Sequence, residues 1–302
     1  MGGNYMIRLV VDSTCDMPRQ IIEKYGIAVV PLQVVIEGKS YRDGVDIKNR
    51  EFYDILRQGV MPQTSQINPA DTEVLFREIC RAGDDVIYLS FSSAMSGSFW
   101  MAKTIAEEVN EDYPERRLCV MDSEGGCAAT GIIAMQTARW IAAGRGFDEI
   151  VAMTEAAIAN IQHLFTLDSL TWLSKGGRVA KPVGSVGDKL QIKPILHVAD
   201  KSMHIVTLVR GRKSTISTII KMLTERIKNF PEQLIMITHA DDIATAEHIR
   251  DEIHKVLPGA KTCLLPIGCV LATHLGVGGV GLFFMKNKIE GYDLLEEEVN
   301  GF

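Results

Sequence analysis

Short apolar runs alternate with polar loops and helical spacing in the first half of the chain. Apolar side chains dominate residues 7–11, 85–91 and 117–122, as is typical of buried strands. Small polar loops with the sequences DSTCD, SSAMSGS and SEGG follow these runs, and stretches with helical spacing follow the loops. This order predicts an α/β fold with an open parallel sheet. In such sheets ligands bind beyond the carboxyl ends of the strands, where these loops lie.

Residues 27–66 interrupt this repeated order of strand, loop and helix. Two strand-like pieces lie around Pro31 and a turn at residues 37–38, and a short helical stretch follows them. A proline-punctuated loop, MPQTSQINP, then leads out of the segment and is predicted to carry no strand. We expect residues 27–66 to form an excursion that returns to the sheet at about Asp85.

The second half of the chain also alternates strand-like and helical stretches. A helix over residues 147–162 is predicted to bridge the two halves, and another over 243–256 follows the strand-like QLIMITHADD. At 302 residues the chain is long enough for two cores. We therefore predict two α/β domains, an N-terminal one over residues 1–162 that includes the excursion and a C-terminal one over residues 163–302.

Composition and charge argue against several classes of function. The net charge is −6, so nothing favours nucleic acid as a partner. The six cysteines form no CxxC pair and no zinc-ligand spacing, which predicts reduced, packed thiols of a cytoplasmic protein and no bound metal. The opening residues, MGGNYMIRLVV, lack the basic and apolar regions of a signal peptide.

Residues 262–285 contain no Asp, Glu, Lys or Arg and are long enough for a membrane-spanning helix. Pro266 and five glycines in the segment disfavour a continuous helix and favour a buried loop and strand. Three of the glycines, Gly276, Gly278 and Gly281, have the G-x-G-x-x-G spacing of dinucleotide sites. No clear strand precedes them and too few residues follow for a βαβ unit, so we discount that pattern.

The loop SSAMSGSFW, residues 92–100, has four serines and a glycine before a helical stretch. Helix capping would need only one of these hydroxyls. A nucleophilic serine would need a base within reach, and the loop lacks the G-x-S-x-G pattern. An anion cradle is the third interpretation, because a helix start offers N–H groups and Gly97 lets a ligand approach the backbone beside Ser96. The residue types favour the cradle over the nucleophile.

Three other stretches carry candidate site residues. Thr64 and Ser65 lie between two prolines, where they either form a turn and cap the next helix or donate to a ligand. Arg178 follows a Gly-Gly pair and is either solvated in a tight turn or placed near an anion. His274, in an apolar run beside several glycines, is either a packed core residue or part of a site.

Taken together, these stretches resemble those of the DegV family of bacterial proteins, from about Ile7 to Tyr292. The resemblance rests on the fixed order of DSTCD, TSQINP, SSAMSGSFW, DSEGG, LSKGGRV, KPIL, VRGRK and GCVLATHLGVGGVG. It implies two α/β domains, the first Rossmann-like, that hold one long-chain fatty acid between them. It also implies a cytoplasmic protein without a cofactor that is not itself an enzyme. Members of this kind present the fatty acid to a separate fatty acid kinase, whose acyl-phosphate product feeds phospholipid synthesis.

The resemblance also implies roles for single residues. The family's carboxylate-binding threonine and serine fall on Thr64 and Ser96, with the Gly97 amide beside them. His274 and Arg178 match the network that supports the head group.

Further positions concern the surroundings of that head group. Ser65 is a second hydroxyl beside the network, and Arg210 matches an arginine implicated in docking the kinase. This sequence has Ile67 where the family commonly has proline, a departure that bears on acyl-chain selectivity and spares the head-group residues. We expect a monomer that contacts the membrane surface only transiently.

Three hypotheses about function remain at this point. The first is a lipid carrier and presenter, which the apolar tail and single charge of a fatty acid suit. The second is a hydrolase or transferase that uses Ser96 or His274 on a small phosphorylated or acyl substrate. The third is a nucleotide-binding regulator, which rests only on the α/β class and the glycine pattern. Methionines in the helical stretches 95–108 and 127–143 would suit an adaptable tail channel or simply fill the core.

Overall fold

The computed structural model describes residues 6–169, 171–172, 177–178 and 191–293. Its strands are β1 (Ile7–Asp12), β2 (Ala28–Val30), β3 (Gln33–Ile36), β4 (Lys39–Arg42), β5 (Gln63–Ser65), β6 (Asp85–Ser90), β7 (Leu118–Asp122), β8 (Ile161–Thr166), β9 (Ile192–Ala199), β10 (Ser202–Arg210), β11 (Leu234–His239), β12 (Lys261–Pro266) and β13 (Val280–Met285). Its α-helices are α1 (Arg19–Tyr25), α2 (Asn49–Arg57), α3 (Pro69–Arg81), α4 (Ser98–Asp112), α5 (Ala128–Ala142), α6 (Phe147–Asn160), α7 (Arg212–Ile227), α8 (Ile243–Val256) and α9 (Cys269–Leu275).

The first sheet is parallel and contains the three strands that the apolar runs predict. Its strand order is β2-β1-β6-β7, and Val10 of β1 lies opposite Tyr88 of β6. All six residues of β6 are buried, as is typical of a central strand in a parallel sheet. The predicted α/β fold with a parallel sheet is therefore confirmed. The excursion begins later than residue 27, because Ala28–Val30 pairs with β1 and extends this sheet.

A small antiparallel sheet forms most of the excursion. Its strand order is β4-β3-β5, and the turn between β3 and β4 falls at residues 37–38, as predicted. Gln63–Ser65 is a strand here rather than part of a loop, with Thr64 opposite Val34. The prediction missed this strand because three polar residues give no apolar alternation. Pairing with β3 gives Thr64 a regular backbone position.

The second large sheet has six strands in the order β10-β9-β8-β13-β11-β12. Its strand pairs are antiparallel except β11 with β12. A second sheet was predicted, but two of its strands, β8 and β9, were not. The helix predicted over 147–162 ends at Asn160, and Ile161 begins β8 without an intervening loop. Five of the six residues of β8 are buried, so its two faces do not differ in polarity and the period-two signal is lost.

Two predictions from composition can be compared with the structure. All six cysteines are free thiols and five of them are buried, as predicted. No helix among the described residues is long and apolar enough to cross a membrane. Residues 262–285 form β12, then α9, a glycine turn and β13. The predicted loop and strand omitted α9, because a seven-residue helix is too short to show a clear period.

Helix α5 lies between the two large sheets. It packs against β1 of the first sheet and against β8, β11 and β13 of the second. Twelve of its 15 residues are buried, because small and apolar side chains surround the whole helix. One apolar core joins buried residues of both sheets around it, including Leu89 and Phe283. A second core fills the space between the six-stranded sheet and the helices α7 and α8.

Candidate functional site

A cavity of about 340 Å³ lies between the six-stranded sheet, the serine loop and α9. Its volume falls in the range of ordinary small-molecule sites. Most of the wall is apolar, formed by Leu32, Phe91, Met95, Phe165, Leu167, Val198, Met203, Ile267, Val270, Leu271, Leu275, Val280 and Phe283. Two methionines, Met95 and Met203, belong to this wall, although neither lies within a helix. This lining suits an apolar ligand.

One part of the wall gathers the predicted polar residues. The described residues that line it include Thr64, Ser65, Ser96, Gly97, Arg178 and His274. They come from four separate stretches of the chain, and the fold brings all of them to one cavity. The pairing of these stretches could not be derived from local sequence signals.

Thr64 and His274 are in direct contact across this part of the wall. Thr64 Oγ1 lies 2.9 Å from His274 Nε2, within hydrogen-bond distance. Burial, and next the positive charge of Arg178, lower the pKa of His274 to about 4, so its imidazole is neutral at neutral pH. A neutral imidazole and a hydroxyl carry two polar hydrogens, and their mutual hydrogen bond uses one. In the Nε2–H tautomer the imidazole donates to Thr64 and the Thr64 hydroxyl can donate to a third group. In the Nδ1–H tautomer the remaining hydrogen lies on Nδ1, which is buried.

The serine loop uses its hydroxyls in different ways. Ser96 Oγ accepts a hydrogen bond from the Ser98 amide over 3.2 Å and lies 3.0 Å from Ser98 Oγ. Ser98 Oγ in turn accepts from the Ile67 amide over 3.3 Å, which ties the loop to the TSQINP segment. Ser96 therefore bonds to the first amide of α4, although the N-cap residue is Gly97, and it also lines the cavity. Helix α3, by contrast, is capped by Asn68 and not by Thr64 or Ser65.

Gly97 is closely packed beside these hydroxyls. A Cβ added at this position would lie 2.4 Å from Gln66 Oε1, so a larger residue would displace the Gln66 side chain. Glycine therefore keeps the backbone at the start of α4 accessible from the cavity.

The other two loop serines hold the β9–β10 hairpin in place. Ser92 Oγ donates to the Lys201 carbonyl over 2.6 Å, and Lys201 Nζ lies 3.0 Å from Asp122 Oδ2. Ser93 Oγ donates to the same Asp122 carboxylate over 2.5 Å. The hairpin contributes Val198 and Met203 to the apolar wall. One loop thus places both the polar and the apolar parts of the cavity.

Arg178 supplies positive charge to the polar part. Its Nε lies 3.5 Å from the Met95 carbonyl oxygen. Among the described residues that line the cavity it is the sole Lys or Arg, and no Asp or Glu accompanies it. Gly177, which precedes it, has a φ of +66°, as the Gly-Gly pattern predicts. Gly176 lies outside the described residues.

Two buried aspartates hold the first residues of α9. The Gly268 amide donates to Asp16 Oδ1 over 2.8 Å, and the Cys269 amide donates to Asp43 Oδ1 over 3.1 Å. Burial raises the pKa of Asp16 to about 7, and the Cys127 thiol donates to its other oxygen over 3.0 Å. Both acids therefore position the helix that carries His274. Residue type alone predicted no role for either acid, although Asp16 ends the DSTCD loop.

The glycines after α9 form a turn and not a dinucleotide site. Gly276 and Gly278 have φ values of +71° and +88°. A Cβ on Gly276 would lie 2.3 Å from the Trp172 ring, and one on Gly278 would lie 2.9 Å from the Asp168 side chain. The turn joins a helix to a strand, which is the reverse of the strand-to-helix order of a dinucleotide fingerprint.

Arg210 lies outside the cavity. It is the last residue of β10 and is exposed. The neighbouring Arg212 contacts Asp168, Asp242 and Thr245. The two arginines of VRGRK thus differ, because Arg212 helps to hold loops together and Arg210 faces solvent.

Comparisons with known proteins extend over nearly the whole chain. A family model described as "uncharacterised protein, DegV family" matches residues 6–287. A DegV domain-containing protein of Clostridium perfringens is 32% identical over 285 residues, which are 93% of this chain and 98% of the relative.

Solved structures of similar proteins have the same fold. The structure of DegV from Bacillus subtilis, described as a fatty acid binding protein, is 29% identical with a TM-score of 0.81 and covers 93% of this chain and 99% of its own. A DegV family protein from Thermus thermophilus, described by its fatty acid binding, is 26% identical with a TM-score of 0.84 and covers 92% and 98%. A stearic acid-binding protein from Eubacterium ventriosum is 26% identical with a TM-score of 0.85 and covers 92% and 97%.

Proposed function

The chain belongs to the DegV family, and on that premise we propose that it binds one long-chain fatty acid in the cavity. The carboxylate lies at the polar part of the wall, against Thr64, Ser96, His274 and the Gly97 amide. The acyl chain lies along the apolar wall. The observation that carries this proposal is the Thr64–His274 pair, whose Thr64 hydroxyl can donate to an acceptor in a cavity with a mostly apolar wall.

Donor groups compensate for the burial of the carboxylate. An unpaired carboxylate in an apolar site costs many kcal/mol, and hydrogen bonds to a charged group return roughly 1.5–3 kcal/mol each. The Thr64–His274 pair and the Ser96 hydroxyl supply such bonds, and Arg178 supplies a positive charge. None of these groups needs to react with the carboxylate, so the site holds the ligand unchanged.

The tail supplies most of the affinity. Each buried CH₂ group contributes ~0.8 kcal/mol, so a sixteen-carbon chain gains on the order of 10 kcal/mol before the costs of ordering. Phe91, Phe165 and Phe283 provide large apolar surfaces for this burial. The carboxylate site then sets the orientation of the chain.

The family further supports a role in presentation rather than in catalysis. The protein delivers its bound fatty acid to a separate fatty acid kinase, and the acyl-phosphate product enters phospholipid synthesis. Arg210, which is exposed and outside the cavity, is the residue assigned to docking the kinase. We expect Arg210→Ala to leave fatty acid binding unchanged and to abolish kinase-dependent phosphorylation. Lys213→Ala is the matched control, and equal loss of binding and phosphorylation in Arg210→Ala would contradict the assignment.

A serine hydrolase or transferase is the alternative function. In the described part of the chain, His274 bonds to Thr64, whereas Ser96 bonds to Ser98. A nucleophilic serine needs a base within hydrogen-bond reach and a third group that orients the base. The contacts of these residues therefore favour binding over nucleophilic attack.

Mass spectrometry of an organic-solvent extract of the purified protein tests the proposal. We expect a fatty acid at about one per chain, and none in a no-protein control. Ser96→Ala should lower the affinity for added palmitate about tenfold, the size of one lost charged hydrogen bond. The absence of both co-purified lipid and palmitate binding would contradict the proposal, and loss of a hydrolytic turnover by orders of magnitude in Ser96→Ala would favour the alternative.

A further inference from the structure

The tip of the β9–β10 hairpin, residues 197–204, has a different chemistry on each face. Val198 lies opposite Met203, and both line the cavity. His197 lies opposite His204, one position further from the turn on each strand. Because side chains alternate between the faces of a strand, the two histidines point away from the cavity. The hairpin tip is therefore a piece of cavity wall that carries a histidine pair on its other face.

The two histidines contact each other and lie near a third group that carries positive charge. Their rings meet edge to face, with the centroids 6.0 Å apart. The charge of Arg226 on α7 acts on His197, and its Nη1 lies 3.4 Å from Gln162 Oε1 on β8. Both histidines are partly exposed, so protons from solvent can reach them. Protonation of the pair would bring three positive charges together.

The other charged and titratable groups around this cluster do little to offset those charges. Among the described residues, Asp200 in the turn is the acid whose charge raises the pKa of His197. Glu225 of α7 is exposed and pairs with Lys221. On the opposite face of the sheet His163 is neutral, because burial, and next the charge of His197, lower its pKa to about 3.

The histidine pair favours the closed hairpin only while it is neutral. Burial, and next the charges of Arg226 and His204, lower the pKa of His197 below its usual value of 6.5. The closed hairpin therefore binds this proton less tightly than an open one, in which the ring is in water. By linkage, the closed form keeps its full stability above pH 6.5 and loses stability as pH falls below 6.5. His204 Nε2 donates to the Ala199 carbonyl over 3.1 Å, so its second proton would be added at Nδ1.

The contacts that hold the hairpin tip against the serine loop include a partly exposed ion pair. Ser92 Oγ donates to the Lys201 carbonyl, and Lys201 Nζ pairs with Asp122. Such ion pairs contribute little to stability. The turn residues Asp200 and Lys201 have φ values of +47° and +63°, in the left-handed region that glycine favours in two-residue turns. A modest repulsion can therefore open the tip while the rest of the sheet stays folded.

We propose that the hairpin tip is an acid-sensitive lid, and that protonation of His197 and His204 opens it and releases the fatty acid. The two imidazolium rings repel each other and Arg226, which separates the strands at the tip. Val198 and Met203 then leave the cavity wall, so the acyl chain meets water. This inference rests on the proposed fatty acid binding and adds a condition for release.

Stopped-flow release of a fluorescent fatty acid into excess palmitate tests this inference at about pH 7.5 and about pH 5.5. We expect release from the unmodified protein to be about tenfold faster at the lower pH, the effect of a pKa difference of about one between the closed and the open hairpin. His197→Gln combined with His204→Gln removes both titratable rings and keeps polar side chains. This double variant should lose most of the increase. The ligand carboxylate and His274 titrate in both proteins, so the difference between them isolates the pair.

A control variant and a second readout make the result specific. His248→Gln makes the same chemical change at an exposed position of α8 and should keep the full increase. Hydrogen exchange of the unmodified protein, corrected for the intrinsic rate at each pH, needs no variant. Amides of residues 197–204 should lose protection at about pH 5.5, whereas those of α5 should keep it.

The outcomes separate this inference from the proposed function. If a fatty acid binds but acid speeds its release equally in the unmodified protein and the double variant, the inference about the hairpin tip is wrong and the proposed function stands. Unchanged protection of residues 197–204 in acid would also contradict the inference. If no fatty acid binds at about pH 7.5, both are wrong.

Discussion

Polar groups lie at both ends of helix α9, but the two ends differ in where their hydrogen-bond partners come from. At its first residues, the carboxylates of Asp16 and Asp43 accept hydrogen bonds from the Gly268 and Cys269 amides. At its last turn, His274 bonds to Thr64, and the Thr64 hydroxyl can donate to an acceptor that the described residues do not supply. The first end is completed by the protein and contributes to folding. The second end is completed by the proposed ligand, so the comparison separates groups that stabilise the fold from groups that bind.

The largest expected effect is at the first end of α9, where the protein supplies the hydrogen-bond acceptors. Asp16→Ala removes the acceptor of the Gly268 amide and of the Cys127 thiol, and leaves both buried. We expect the free energy of unfolding to fall by ~3 kcal/mol, measured by urea denaturation. Asp54→Ala, at an exposed acid on α2, is the control and should change stability by less than ~0.5 kcal/mol. An equally small change in Asp16→Ala would remove the distinction between the two ends.

The next largest effect is at the last turn of α9, where the proposed ligand supplies the hydrogen-bond acceptor. Thr64→Val removes the hydroxyl and nearly preserves shape, so we expect fatty acid affinity to fall about tenfold to a hundredfold. The free energy of unfolding of the ligand-free protein should fall by only ~1 kcal/mol, the cost of leaving a partly buried nitrogen of His274 without its partner. Titration calorimetry with palmitate and urea denaturation measure the two quantities. Thr218→Val on α7 makes the same chemical change outside the cavity and should alter neither.

The stability that Asp16 contributes at the first end of α9 should depend on pH in a predictable direction. Because burial raises the pKa of Asp16 from 3.8 to about 7, the folded protein binds this proton more tightly than the unfolded chain does. This contribution to stability is full below pH 3.8 and is lost as pH rises through about 7. Asp16→Asn should remove that component, so stability measured from about pH 5 to about pH 8 should fall less in the variant. Identical pH profiles would show that Asp16 does not titrate in this range.

The smallest expected effect concerns the hairpin that covers the apolar wall. Lys201→Ala removes an ion pair to Asp122 that is partly exposed, and such pairs contribute only ~0–1 kcal/mol. We expect ligand dissociation to become about twofold to fivefold faster in stopped-flow exchange, with little change in stability. Lys221→Ala removes a more exposed pair on α7 and is the control. An unchanged dissociation rate would mean that this ion pair does not help to hold the hairpin over the cavity.

Local sequence signals predicted the fold and the candidate residues best. The parallel sheet followed from apolar runs such as that of β6, and the candidate polar residues followed from their types and from the family resemblance. The pairing of Thr64 with His274 could not be derived locally, because 210 residues separate them. Asp16 and Gly268 are 252 residues apart, and neither position is unusual by itself.

The misses in secondary structure have two physical causes. Strand β8 follows α6 directly and is buried on both faces, so neither a loop nor an alternation marks it. Strand β5 consists of three polar residues and exists because β3 provides a partner.

Helix α5 has a consequence for how the molecule unfolds. Because this helix packs against both large sheets, unfolding of either sheet would expose the apolar core that it shares with the other. Heating should therefore give one cooperative calorimetric transition, with equal calorimetric and van't Hoff enthalpies, although the chain contains two separate sheets. Amide hydrogens of α5 should exchange only through global unfolding, and so should be among the slowest in the protein.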